Sequence, residues 1–75
     1  MKYLYSINKY VNEYNFEKAL NIYKKIKILP TLSETDKMVI EFIGIALKRL
    51  VTGTSLYMKL YLILFINFNI DFLNS

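Results

Sequence analysis

Apolar side chains return at helical spacing over most of this chain, and the polar breaks between them mark out four segments. In the first, Tyr3, Leu4, Ile7, Tyr10, Val11 and Tyr14 recur at one helical face and fit no strand, so a helix is predicted over about residues 2 to 13. Asn15 breaks that pattern and can cap a second helix, with Glu17 well placed in its first turn and Phe16, Ala19, Leu20, Tyr23 and Ile26 as its buried stripe. Lys24, Lys25 and Lys27 fall in its last turn, where cations suit the helix dipole. Pro30 ends it, because proline drives Leu29 away from the helical region and has no amide to donate. The small Ala19 between bulky Phe16 and Tyr23 is what two antiparallel helices need for close packing.

The third segment starts on Ser33, with Asp36 three residues on in a capping-box pattern. Val39, Phe42, Ile43, Ala46, Leu47 and Leu50 follow at helical spacing, flanked by Met38, Ile40 and Ile45. So wide an apolar face predicts a helix that packs on two sides. The small residues Thr52, Gly53, Thr54 and Ser55 read as the turn that ends it. Beyond them the code is ambiguous. Leu56 to Phe65 is apolar nearly all round, as in a buried helix, whereas Ile66 to Phe72 alternates strictly, which is a strand period. The last element stays open between a helix ending near residue 66 with a tail and an aggregation-prone strand.

A chain of 75 residues makes one small domain that buries only about 60% of its unfolded surface. Cysteine and histidine are both absent. That excludes a disulfide framework, a thiolate metal site, the usual neutral-pH general base and every Ser-His or Cys-His arrangement. Glu13 and Glu17 share a helical face but have no histidine or pocket beside them, so they read as surface carboxylates. The expectation is a non-enzymatic chain without metal, cofactor or small-molecule substrate.

The net charge of +4 is uneven: residues 1 to 31 carry six lysines against Glu13 and Glu17, and the remainder is balanced. Nine of the ten basic residues are lysine, and Ile, Asn, Lys, Tyr and Phe dominate the chain, as an A+T-rich, low-GC genome produces. The charge therefore reads as solvated helix faces before it reads as nucleic-acid or acidic-lipid binding. After Lys2 the apolar run breaks at once into Ser6, Asn8 and Lys9, unlike a signal peptide, and the expected location is cytoplasmic. The longest uninterrupted apolar run, Leu60 to Ile66, would cover only about 10 Å of a roughly 30 Å bilayer core.

Tyr14, Asn15, Phe16, Glu17, Lys18, Ala19 and Leu20 with Tyr23, preceded by Tyr10 in the first helix, resemble the second half of a tetratricopeptide repeat. The family's Leu-Gly pair in the first helix falls on Ser6 and Ile7, and Tyr14 stands at the usual turn glycine. Pentatricopeptide repeats share this hairpin grammar and would turn the function toward RNA. Residues 4 to 26 are also similar to the opening repeat of the large tetratricopeptide subunit of the signal recognition particle, through Leu4-Tyr5-Ser6, Asn8-Lys9-Tyr10, Asn15-Phe16, Ala19-Leu20 and Lys25-Ile26. In that family the N-terminal repeats hold a segment of a partner subunit. Arrays of this kind need about three units and a capping helix. The chain therefore reads as a fragment of a longer array or as a small module docking through exposed apolar surface.

The resulting expectation is an all-α protein of about four helices in antiparallel, tetratricopeptide-like hairpins. Residues 1–53 form the repeat module and residues 54–75 an apolar C-terminal helix or tail. Its expected function is protein–protein interaction, with a partner peptide laid across the first helices of each hairpin. The resemblance implies a groove lined by Leu4, Asn8, Val11 and Asn12 in the first unit and by Ile45, Lys48 and Arg49 in the second. The competing class is a membrane-associated protein anchored by residues 56–73.

Overall fold

Each polar break in the pattern becomes a helix cap. The computed structural model describes residues 2 to 53 and 55 to 74, the side chains of Lys2 and of residues 71 to 74 excepted. It contains four helices: α1 (Lys2–Asn12), α2 (Phe16–Ile26), α3 (Glu34–Thr52) and α4 (Leu56–Asn74). No strand occurs among the described residues. Asn15 caps α2, its side-chain oxygen accepting from the Lys18 amide at 3.4 Å. Ser33 caps α3 by accepting from the Asp36 amide at 3.1 Å. At the far end of α3 the Gly53 amide donates to the Arg49 carbonyl at 2.9 Å, and the Thr52 hydroxyl bonds to the Arg49 carbonyl at 3.0 Å. Ser55 then opens α4, its hydroxyl accepting from the Met58 amide at 3.3 Å. Thr54, the third member of the expected turn, lies outside the described residues.

α4 resolves the ambiguity of the last segment in favour of helix, through the alternating Ile66 to Ile70. The asparagines explain why. The side-chain amide of Asn67 donates to the Ile63 carbonyl at 2.9 Å and that of Asn69 to the Phe65 carbonyl at 2.8 Å, each one turn back. A residue type that would otherwise favour a turn thus satisfies its amide on the helix itself. Ile66 and Ile70, four apart, meanwhile enter the core on one side. The side chains of Asp71 and Phe72, which complete the alternation, lie outside the described residues.

The short links between α1 and α2 and between α3 and α4 make each pair an antiparallel hairpin. The hairpins then close on one another. α2 packs on α3 and α4 packs on α1, while α1 and α3, and likewise α2 and α4, do not adjoin. The core is continuous across this ring: Leu4, Ile7 and Val11 of α1, Phe16, Ala19, Tyr23 and Ile26 of α2, Ile40, Ile43, Ala46, Leu47 and Leu50 of α3, and Leu62, Ile66 and Ile70 of α4. The expected division near residue 53 coincides with the α3–α4 turn, and the core runs across it.

Two small residues serve the packing of α2, one on α2 itself and one on α3 of the other hairpin. Ala19 is fully buried, as its place between Phe16 and Tyr23 predicts. Between α2 and α3 the same service is done by Gly44, where an added Cβ would fall inside the Tyr23 ring. A mid-helix glycine costs about 1 kcal/mol relative to alanine. That cost is offset here by seating the buried Tyr23 ring against bare α3 backbone.

Candidate docking face

The residues expected to line a partner groove separate in the fold. Leu4 and Val11 are core residues, 1% and 0% exposed, because α4 lies along that side of α1. An open groove on this face of α1 is therefore corrected by the structure: Leu62 and Ile66 of α4 belong to the same buried cluster. Asn8 is half-buried and donates to the Asn67 side-chain oxygen of α4 at 3.3 Å, while its own side-chain oxygen is buried without a partner. Asn12 is exposed, but its amide donates to the Asn8 carbonyl at 2.9 Å. The expected amide ladder thus bonds within the chain.

Ile45, Lys48 and Arg49 sit on α3, which does not adjoin α1, so the two halves of the expected groove do not form one surface. The Lys48 ammonium lies 5.7 Å from the centroid of the Tyr23 ring, toward α2. Ile45 and Arg49 instead line a shallow cavity of about 220 Å³ between α3 and α4, together with Phe42, Ala46, Met58 and Tyr61. The Phe42 ring is the corner of this cavity, packed against Phe65 at 4.5 Å and Tyr61 at 5.9 Å between centroids. Through Tyr61 the cavity continues into a second, more open depression of about 530 Å³ lined by Leu64, Phe65, Asn67 and Phe68 of α4.

This face is apolar with a single guanidinium at its edge. Tyr61, Leu64 and Phe68 are exposed by 54%, 70% and 68%. Arg49 offers five fixed donors beside an aromatic wall, so the arrangement suits an apolar side chain with a carbonyl or carboxylate next to it. Sequence reasoning found Ile45 and Arg49 and missed Phe42, Met58, Tyr61, Leu64 and Phe68. Their signal lies in α4 carrying apolar residues on two opposite sides, only one of which the core covers.

A second sequence feature also changes meaning. Lys59, which as a sequence charge brackets the apolar run of α4, is buried at 7% exposure. Its ammonium lies 3.4 Å from the centroid of the Tyr14 ring at the end of α1, a cation–π contact that ties the α1–α2 turn to the first turns of α4. Tyr10 and Tyr23 are similarly flanked, Tyr10 by Lys9 and Lys18 and Tyr23 by Lys27 and Lys48, at 5.1 to 5.7 Å. Among the described residues no group of acidic side chains is placed to hold a metal ion, and no helix is long and apolar enough to cross a membrane. Comparison with protein-family profiles, with curated proteins and with solved structures finds no match.

Proposed function

We propose that this chain is a non-enzymatic protein–protein interaction module of helical-hairpin, tetratricopeptide-like type, acting in the cytoplasm and receiving its partner on the face shared by α3 and α4. The observation that carries this reading is the continuous apolar surface from Phe42 and Ile45 through Tyr61 to Leu64 and Phe68, with Arg49 at its rim. Contiguous exposed apolar surface of this kind on a small chain marks an interaction site. The reading as non-enzymatic rests on a sequence without histidine or cysteine. The similarity of residues 4 to 26 to the opening repeat of the signal recognition particle subunit supports a narrower form, a fragment of that scaffold. In that form the partner reaches Leu4, Asn8 and Val11, which requires α4 to give way.

The two forms make opposite demands on a capture experiment. With the full chain as bait, Ile45→Glu, placed at a half-exposed position, should abolish partner recovery, and Asn12→Ala should leave it intact. Loss with Asn12→Ala and none with Ile45→Glu returns the interface to the α1 face and overturns the reading. Recovery on lipid vesicles that is lost with the same Ile45→Glu substitution assigns the face to a membrane instead.

A further inference from the structure

We infer that the outward side of α4 is a self-association seam, and that its occupant is the same side of α4 in a second copy of this chain, packed antiparallel about a two-fold axis. The inference rests on the reading of the α3–α4 face as a docking surface and names one partner for it. α4 carries two apolar stripes. Lys59, Leu62, Ile66 and Ile70 turn inward and are buried. Tyr57, Tyr61, Leu64 and Phe68 lie about half a helical turn away from them, at 100° per residue, and all are more than half exposed. Their spacing of four, three and four residues is the period that keeps a seam facing another helix over two heptads. A helix that is apolar on both sides is incompletely buried by a ring that covers only one of them.

The occupant follows from symmetry and charge. The spacing reads the same in both directions, so an antiparallel pair brings Tyr57 of one copy opposite Phe68 of the other and Tyr61 opposite Leu64. That is the self-complementary match an isologous two-fold contact requires. Between Tyr57 and Phe68 no charged residue stands on the seam or beside it at Met58, Leu60, Phe65 or Asn67, and the first charge in its register is Asp71, three residues beyond Phe68. The lysines of α2, Lys18, Lys24 and Lys25, belong to the helix diagonally across the ring from α4. Two copies of a cationic chain can meet through α4 with those charges on their far sides. An acidic partner would find one cation, Arg49 of α3 at the rim beside Tyr61, and none at the four seam positions themselves, which favours another uncharged face along the seam.

Sedimentation velocity on the full chain over a wide concentration range tests this. The expected result is a sedimenting mass that doubles with concentration, abolished by Leu64→Lys and retained by Ile28→Lys, an exposed apolar position in the loop beyond α2. Because the chain has no cysteine, register can be read independently of stability. Tyr57→Cys mixed with Phe68→Cys should form a mixed disulfide dimer, and Tyr57→Cys alone should not. A wild type monomeric throughout, a dimer that survives Leu64→Lys, or one equally lost with Ile28→Lys overturns the inference, as does crosslinking of Tyr57→Cys to itself. A monomer that collects on lipid vesicles also overturns it, with the membrane as the occupant. A monomer that still loses its protein partner with Ile45→Glu sinks the self-association alone and leaves the docking reading standing.

Discussion

Tyr14 holds a left-handed backbone, φ 61°, where a helix ordinarily ends on glycine. The hydrogen bonds around it are those of a two-bond helix terminus: the Tyr14 amide donates to the Val11 carbonyl at 3.1 Å and the Asn15 amide to the Tyr10 carbonyl at 2.8 Å. Asn15 then caps α2 at once, so one residue closes one helix and opens the next. A side chain in this conformation costs about 1 kcal/mol or somewhat more, and Tyr14 recovers it by covering the Lys59 ammonium and meeting Phe16 edge-on at 6.0 Å. The two contributions separate by substitution. Tyr14→Ala keeps the backbone cost and loses the ring, whereas Tyr14→Gly loses both. Urea melts should therefore place Tyr14→Ala below Tyr14→Gly by about 1 kcal/mol, and identical midpoints would show that the turn is not left-handed in solution.

At the scale of elements, the periodicity read the first three helices and both caps correctly, because Asn15, Ser33 and Pro30 are local signals that no tertiary contact overrides. α4 was not legible in the same way. Asn67 and Asn69 alternate with Ile66, Phe68 and Ile70 as a strand would, and only tertiary burial of Ile66 and Ile70 beside Leu62 selects the helical period. The groove on α1 failed for a related reason. Leu4, Asn8, Val11 and Asn12 do share a face, but a one-dimensional pattern cannot say whether that face meets solvent, a partner or another helix of its own chain. The structure puts α4 there. Deleting residues 54 to 75 should consequently uncover Leu4, Ile7 and Val11, leaving residual helix in α1 to α3 but replacing a cooperative thermal transition by a broad one. A truncated chain that melts as sharply and as high as the full chain would show that α4 is an appendage and that the α1 face is open after all.

For the whole molecule, the placement of charge decides how association responds to salt. Adjacent helices pack roughly 8 to 10 Å apart, so the diagonal from α4 to α2 is roughly 13 Å, in keeping with molecular extents of 31 × 25 × 17 Å. Two copies joined through α4 hold their α2 helices roughly 35 Å apart by the same spacings. The screening length is already about 8 Å at physiological ionic strength, so the Lys18, Lys24 and Lys25 clusters of the two copies scarcely feel each other. Burial of Tyr57, Tyr61, Leu64 and Phe68 against their equivalents involves no ion pair to be screened. The dimerisation constant should therefore change by less than about threefold between low and high sodium chloride, measured by sedimentation equilibrium. Vesicle binding driven by the +4 net charge would behave oppositely, since attraction of exposed lysines to acidic headgroups falls within a screening length and is lost as salt rises. Association that collapses on adding salt would place the lysine-rich helices, and not α4, at the contact.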